Sequence, residues 1–341
     1  MYRWIHKIWY ENGKSYRLLL PLTGIYWLLI TFRRALYRVG LLRQYNVGVP
    51  VIVVGNITTG GTGKTPLTIW LARELRARGF KLGIASRGYG GSRSSASMRV
   101  DSASDPAVVG DEPVLLATRT TCPVFVDKNR ARAAKMLVAG GADLIIADDG
   151  LQHYRLDRSY EICIIDGMRW LGNRHLLPAG PMRESVTRLC DVDQVLINGR
   201  WREHKDKQTV VEQNAIEFEL VTEEVRRLNG SLTRPINRFT GTVVHAVAAI
   251  GNPHRFFDLL REHGMQVIEH PFPDHARLVH KDLDFGDDFD ILMTEKDAIK
   301  LGRKTADNYW YVPVELKMDS VDAGPWLEQI ESRMRDEQRR R

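Results

Sequence analysis

Residues 51–66 read VIVVGNITTGGTGKTP. The first four form an unbroken apolar run, as expected for a strand that is buried on both faces of a parallel sheet. Pro66 suits the first turn of a helix, where its missing N–H costs nothing. The order of strand, glycine-rich loop and helix predicts a loop whose backbone N–H groups converge on phosphate oxygens.

The predicted phosphate loop carries two residues with chemistry of their own. Lys64 is placed to neutralise the β- and γ-phosphates of a nucleotide, and Thr65 is placed to ligate Mg²⁺. Thr58 stands where the strict G-x-x-x-x-G-K-[ST] pattern has glycine, so the loop resembles the variant with paired glycines. We expect ATP to bind to the loop residues Gly60, Gly61, Thr62, Gly63, Lys64 and Thr65.

Beyond Pro50, short apolar runs alternate with stretches of helical spacing. The runs that predict strands in the first part are 51–54, 82–85, 124–126, 144–147, 162–165 and 195–197. Such alternation is typical of an α/β protein with a mostly parallel sheet and helices covering it. We therefore predict a P-loop NTPase-like sheet, followed by a smaller α/β domain that a β-hairpin linker joins to it.

Changes of composition along the chain suggest its domain boundaries. Asn229 and Gly230 mark a turn between two possible strands, which predicts the hairpin linker. The arginine-rich end is typical of a frayed tail. The predicted segments are an N-terminal helical segment at 1–43, a P-loop kinase core at 44–213, the linker at 214–238, the smaller domain at 239–330 and a basic tail at 331–341.

Two acidic residues, Asp148 and Asp149, directly follow the predicted strand at 144–147. Ligands bind at the carboxyl ends of parallel strands, so these carboxylates can hold Mg²⁺ directly or through water. An ordinary Asp-Gly turn is the alternative. Arg87 and Tyr89 follow the second strand on a glycine-rich loop at the same edge, where they either contact phosphate or substrate or form a solvated turn.

The N-terminal segment from Leu18 to Phe32 is nearly all apolar, with Arg33, Arg34 and Arg38 beside it. Fifteen helical residues reach roughly 22 Å, which is short of the roughly 30 Å hydrocarbon core of a bilayer. This pattern favours a helix in the membrane interface over one that spans it. A core helix packed against the catalytic domain is the alternative.

The formal charge of +7 and the pI near 9.3 favour an anionic partner. Nucleic acid is not expected, because no basic stripe with interleaved aromatic residues is present. The three cysteines are far apart in sequence, which argues against a zinc site and favours a reducing compartment.

Several motifs together resemble one family, the tetraacyldisaccharide 4'-kinases, which are the lipid A 4'-kinases of Gram-negative bacteria. The motifs that carry the resemblance are Gly55-Asn56 with 60–66, 86–91, Gly110-Asp111-Glu112-Pro113, 148–153, 177–184, Pro273-Asp274-His275 and 294–298. The resemblance implies transfer of the ATP γ-phosphoryl group to the 4'-hydroxyl of a tetraacylated diglucosamine 1-phosphate, giving lipid IVA. It also implies a site at the cytoplasmic face of the inner membrane, with anionic lipids beside the enzyme. We expect a monomer.

The resemblance also implies roles for individual residues. Asp111 becomes the candidate base and acts with His275, while Lys64 stabilises charge. Substrate contacts are expected from Arg87, Tyr89 and Arg183, and the magnesium candidates are Thr65, Glu112, Asp148, Asp149 and Glu184. The chain departs from the family pattern at Ala276, where another histidine often stands.

The main alternative is a membrane-associated regulatory ATPase switch of the partitioning type, which has a similar paired-glycine loop. Such switches usually carry a signature lysine just before the glycines. Thr59 occupies that position here, so the sequence favours the kinase.

Overall fold

The computed structural model describes residues 2–11, 13–92, 96–199, 215–274, 276–302 and 306–341. The described residues form two sheets with helices around them. The strands are β1 Val51–Gly55, β2 Leu82–Ser86, β3 Met98–Val100, β4 Val124–Val126, β5 Leu144–Asp148, β6 Tyr160–Asp166, β7 Gln194–Asn198, β8 Ala215–Val221, β9 Glu224–Arg227, β10 Thr233–Pro235, β11 Val243–Ala248, β12 Gln266–Pro271, β13 Asp290–Thr294, β14 Tyr309–Val312 and β15 Glu315–Met318.

Helices precede, connect and follow these strands. The α-helices are α1 Tyr2–Tyr10, α2 Leu20–Arg38, α3 Lys64–Ala77, α4 Pro106–Val109, α5 Asp111–Thr120, α6 Arg130–Ala139, α7 Pro253–Glu262, α8 Glu295–Leu301 and α9 Ser320–Arg340. Short 3₁₀ helices lie at Lys14–Leu19, Val186–Cys190, Ile236–Phe239 and His280–Leu283.

In the described part of the chain, the larger sheet has the order β15-β8-β7-β6-β1-β5-β2-β4-β3. Its strands from β8 to β4 run parallel, whereas β15 and β3 pair antiparallel at its two edges. β1 lies in the middle, and its side chains point alternately to two cores. Ile52 and Val54 pack into the core that includes α3 and α9, and Val51 and Val53 pack into the core that includes α6.

The smaller sheet has the order β10-β9-β14-β13-β11-β12 among the described residues. Its centre is parallel, and α7 and α8 follow β11 and β13, as is typical of an α/β unit. The chain enters this unit after β8 and leaves it before β15, and these two strands pair with each other. The two sheets are therefore joined by neighbouring strands at one edge of the larger sheet.

The segment predicted as a linker, 214–238, is divided between the two sheets. β8 pairs with β7 in the larger sheet, whereas β9 and β10 form the hairpin around Asn229 and Gly230 in the smaller one. The predicted boundary at residues 213 and 214 lies outside the described residues. The linker prediction differs from the structure because strand pairing with a distant neighbour leaves no mark in local composition.

The predicted frayed tail at 331–341 is wrong. α9 continues to Arg340, and its residues Trp326, Leu327, Ile330 and Met334 are buried in the core beneath the larger sheet. Their spacing places them on one face of a helix, but the many charged residues between them hid this pattern. The predicted smaller domain also ends too late, because β15 and α9 both return to the larger unit.

Replacement of Ile330 by alanine tests the position of α9. Ile330 is fully buried, so Ile330→Ala should lower the free energy of unfolding by about 2–5 kcal/mol. Gln329→Ala, on the exposed side of the same helix turn, should stay within about 0.5 kcal/mol of the parent protein. Urea unfolding followed by circular dichroism measures both. Equal stability of the two variants would contradict the packed helix.

Candidate active site

The phosphate loop joins β1 to α3. Gly60 and Gly63 have positive φ angles of 105° and 96°, which glycine adopts without the steric cost of a Cβ. Asn198, at the end of β7, donates from Nδ2 to the carbonyl of Thr62 at 3.1 Å. A Cβ on Gly63 would lie 2.7 Å from that Nδ2. The shape of the loop therefore depends on glycine at position 63 and on its contact with Asn198.

A group of positive side chains surrounds Asp149, just after β5. Lys64 Nζ and an Arg183 guanidinium nitrogen lie 3.6 Å and 3.3 Å from Asp149 Oδ1. Arg130 donates to the backbone carbonyl of Asp149 at 2.6 Å. Burial alone would raise the pKa of Asp149, but Lys64, Arg183 and Arg130 outweigh it and lower the pKa to about 2. Asp149 is therefore ionised at neutral pH and pairs with the loop lysine.

Asp148 has the opposite electrostatic situation. It is buried, and Thr68 Oγ1 donates to its Oδ1 at 3.2 Å. Burial and the negative charges of Glu112 and Asp149 raise the pKa of Asp148 to about 7. The positive charge of Lys64 offsets this negative charge around Asp148 only in part. A bound divalent cation would offset it further.

Asp111 and Glu112 open α5 on the same side of the site. Lys296 Nζ lies 3.2 Å from Glu112 Oε1 and 3.9 Å from Asp111 Oδ2, and Lys300 Nζ lies 3.7 Å from Asp111 Oδ2. Burial would lower the pKa of Lys296, but Glu112, Asp111 and Asp274 outweigh it and raise that pKa above its ordinary value. Both lysines come from α8 of the smaller unit, so the site has walls from both units.

Glu184 does not join this group. Its carboxylate accepts a hydrogen bond from Tyr154 at 2.9 Å and pairs with Arg188 at 3.2 Å. Burial raises the pKa of Glu184 despite these partners. The structure therefore does not support the prediction that Glu184 is a magnesium ligand. Its neighbour Arg183 points the other way, toward Asp149.

The remaining predicted residues have mixed positions. Arg87 and Tyr89 are exposed on the loop after β2. The loop backbone passes close to Gly110, where a Cβ would lie 2.5 Å from the Tyr89 carbonyl oxygen. The loop therefore packs closely against the start of α5. His275 lies outside the described residues.

Sequence reasoning missed contacts that the smaller unit makes with the phosphate loop. Arg255, in α7, donates to Asn198 Oδ1 at 2.9 Å and pairs with Asp166 at 3.4 Å. A Cβ on Gly251 would lie 3.5 Å from the backbone nitrogen of Gly61. The asparagine at the carboxyl end of β7 was the available signal, because that edge of a parallel sheet is where ligands bind.

The N-terminal helix α2 packs beside the segment that contains Arg183. Thr23 Oγ1 donates to the Leu176 carbonyl at 3.3 Å, and the Tyr26 hydroxyl donates to the Arg183 carbonyl at 2.9 Å. The opposite side of α2 is apolar and open, since Ile25, Leu29 and Phe32 keep 58%, 62% and 62% of their surface exposed. One side of α2 thus packs against the rest of the protein, and the other side is exposed.

Comparison with known proteins now identifies the family. Residues 15–335 match the profile of the family described as "LpxK: Tetraacyldisaccharide-1-P 4'-kinase". The chain belongs to this kinase family. One relative is the tetraacyldisaccharide 4'-kinase of Alkalilimnicola ehrlichii, whose sequence is 48% identical over 88% of each chain. Another is the tetraacyldisaccharide 4'-kinase of Methylobacillus flagellatus, whose sequence is 43% identical over 98% of each chain. The resemblance drawn from the motifs is confirmed.

The fold of the kinase family is also confirmed by a solved structure. The crystal structure of LpxK from Aquifex aeolicus in complex with ATP superposes with a TM-score of 0.76 at 26% identity. The superposition covers 92% of this chain and 98% of that one. The predicted P-loop NTPase-like α/β fold is therefore correct.

A pair of glycine variants tests the geometry of the phosphate loop in this kinase. Gly63→Ala meets both a positive φ and a Cβ contact of 2.7 Å, so it should weaken ATP binding by at least about tenfold. Gly61→Ala has nothing within 4 Å of its Cβ and should weaken binding less. Calorimetry with ATP measures both affinities. A stronger loss in Gly61→Ala would contradict the described loop.

Proposed function

We propose that this chain transfers the γ-phosphoryl group of ATP to the 4'-hydroxyl of a tetraacylated diglucosamine 1-phosphate, giving lipid IVA. One observation carries the proposal beyond family membership. The phosphate loop, with Lys64, faces a cluster of buried carboxylates at the same sheet edge, and Asp111 is held within that cluster. Phosphoryl transfer to an alcohol needs such a nucleotide cradle beside a group that accepts the hydroxyl proton.

Mg²⁺ fits this site as the partner of ATP. Burial and the nearby carboxylates of Glu112 and Asp149 raise the pKa of Asp148, and carboxylate and hydroxyl oxygens are the ligands that Mg²⁺ prefers. Among the described residues, no group of three His, Cys, Asp or Glu side chains forms a ready-made metal site. Mg²⁺ usually takes one or two carboxylates, waters and substrate phosphates. Thr65, Asp148, Asp149 and Glu112 would hold the ion, which would supply charge neutralisation on the phosphates.

Asp111 is our candidate for the group that takes the acceptor proton, and His275 is the candidate partner that orients it. Asp111 is nearly fully buried and lies at the start of α5. Arg87 and Tyr89 lie on the loop beside Gly110, and we propose that they contact the lipid headgroup. Arg183 forms an ion pair with Asp149. It therefore helps to hold Asp149 beside the phosphate loop, and it is also a candidate substrate contact.

The function is tested by incubating the protein with ATP, Mg²⁺ and a tetraacylated disaccharide 1-phosphate. Mass spectrometry should detect one added phosphate, and the product should disappear when EDTA removes the metal. ATP hydrolysis without any phosphorylated lipid would contradict the proposal and favour a regulatory ATPase.

We predict that Lys64→Ala and Asp111→Asn each reduce turnover by at least about a hundredfold, because one removes charge stabilisation and the other the proton acceptor. The two variants should differ in ATP affinity. Lys64→Ala loses a phosphate contact, whereas Asp111→Asn should bind ATP nearly as tightly as the parent. Asp336→Asn, on the exposed face of α9, is the control. Near-normal turnover in Asp111→Asn would remove Asp111 from the mechanism.

We also propose that α2 lies in the interface of the inner membrane, on its cytoplasmic face, with the chain acting as a monomer. By length and composition alone, the helical stretch Ser15–Arg38 is long and apolar enough to cross a membrane. It is longer than the apolar run noted in the sequence, Leu18 to Phe32. An in-plane position is supported by the side of α2 that packs on the protein through Thr23 and Tyr26. Arg33 and Arg38 flank the open apolar side, where they can meet anionic lipid.

A double variant on the open side of α2 tests the membrane proposal. Ile25→Asp with Phe32→Asp removes two apolar side chains, each of which contributes about 1.5–3 kcal/mol when buried. The variant should be released from vesicles that contain anionic lipid, and its KM for the lipid substrate should rise while ATP affinity is unchanged. Val321→Asp changes an even more exposed apolar residue on α9 and should have no effect. Equal vesicle co-sedimentation of all forms would contradict the proposal.

A further inference from the structure

The segment 294–298, Thr-Glu-Lys-Asp-Ala, has no task in the function proposed so far. It joins β13 to α8 in the smaller unit. Thr294 caps α8, because its Oγ1 accepts from the backbone N–H of Asp297 at 3.2 Å. The fully buried Asp297 carboxylate accepts from Thr294 Oγ1 at 2.6 Å and from the Ala249 backbone N–H at 2.9 Å. These hydrogen bonds tie the start of α8 to the residue that follows β11.

Helix α8 carries Lys296 and Lys300, which are four residues apart and therefore lie on one face of the helix. Lys300 Nζ is fixed at 2.8 Å from Asp297 Oδ1 and is also 3.7 Å from Asp111 Oδ2. Lys296 Nζ lies between Glu112 and Asp111. The side chains of Lys296 and Lys300 are only 17% and 7% exposed, so solvent screens these contacts weakly.

The two lysines approach the carboxylates from across the boundary between the units. Asp111 and Glu112 belong to α5 of the larger unit, and α8 belongs to the smaller one. Asp111, Glu112 and Asp148 would repel one another and an incoming triphosphate if their charges were left uncompensated. The lysines of α8 supply two positive charges at that place only while α8 stays against α5.

We infer that Lys296 and Lys300 are positioning residues, which hold Asp111 and Glu112 in the geometry needed for phosphoryl transfer and make that geometry depend on contact between the two units. The inference rests on the kinase function proposed above and extends it to residues of the smaller unit. Asp297, which these capping contacts hold in place, pairs with the ammonium group of Lys300 at 2.8 Å. Arg119 in α5 pairs with Glu295 at 2.5 Å in the same interface and keeps α8 in register.

A purely structural clamp is the competing explanation, and kinetics separate the two. Lys296→Met removes the charge and keeps the length of the side chain, and Lys296→Arg keeps the charge. Lys317→Met, on the exposed side of β15, is the matched control. The measurements are turnover of the lipid acceptor, KM for ATP and thermal unfolding of each full-length variant.

We expect Lys296→Met to lower kcat by at least about tenfold, with KM for ATP within about twofold of the parent value. Lys296→Arg should restore most of the lost turnover, and Lys317→Met should match the parent. In the Asp111→Asn background, Lys296→Met should cause a smaller loss than it does in the parent protein, because residues that act partly through one group are not additive. Lys300→Met should repeat the pattern and replaces Lys296→Met if that variant does not fold.

Parent-like kcat in Lys296→Met and Lys300→Met would overturn the inference. Full additivity with Asp111→Asn would also overturn it, since a lysine that acts elsewhere adds its own loss. Failure of the proposed function is a separate result, because the parent protein itself would then add no phosphate to the lipid disaccharide.

Discussion

The contact between Lys64 and Asp149 constrains the rest of the structure. A buried charge costs several kcal/mol unless a partner compensates it, so the loop lysine and the carboxylate after β5 have to meet. They can meet because β1 and β5 pair in parallel and place Val54 beside Asp148. Arg183 completes the charge balance from a distant segment, and the Tyr26 hydroxyl of α2 bonds to the Arg183 carbonyl. One charge requirement thus connects the phosphate loop, the acidic strand end and the N-terminal helix.

The path of the chain explains why the site is shared by two units. The chain leaves the larger sheet after β8 and returns in β15, which pairs with β8. The smaller unit is therefore attached through adjacent strands at one edge of the larger sheet. Its position relative to the phosphate loop also depends on side-chain contacts between the two units. Arg255 of the smaller unit donates to Asn198, and Asn198 donates to the Thr62 carbonyl. Contacts of this kind link the placement of the smaller unit to the shape of the loop.

The sequence predicted the features that local pattern determines. β1 and the phosphate loop were found because apolar run, glycines and helix start follow each other within residues 51–66. Asp148 and Asp149 were selected because they stand at the end of a strand. The structure separates Glu184 from them, because sequence order says nothing about which way a side chain faces: Arg183 points to Asp149, and Glu184 points away to Tyr154.

The features that sequence reasoning missed depend on pairing between distant segments. The partner of β15 is β8, nearly a hundred residues earlier in the chain. The spacing of apolar residues within a strand does not predict which distant strand it pairs with. Met334 looked like part of a charged tail because its apolar neighbours are spaced along α9 between arginines and acidic residues. Lys296 could have been suspected from its place in a recognised motif, but the charge that it meets, on Glu112, is visible only in three dimensions.

The position of α2 limits how a lipid acceptor can reach the site. A helix with its side chains is about 10 Å across, and one side of α2 touches the Arg183 segment while the other carries Ile25 and Phe32 outward. Given the in-plane position proposed above, the bilayer surface then lies about one helix diameter from the segment whose Arg183 contacts Asp149. A sugar headgroup can extend over such a distance while its acyl chains stay in the membrane. On that proposal the headgroup alone would be drawn into the site, which avoids exposing the acyl chains to water.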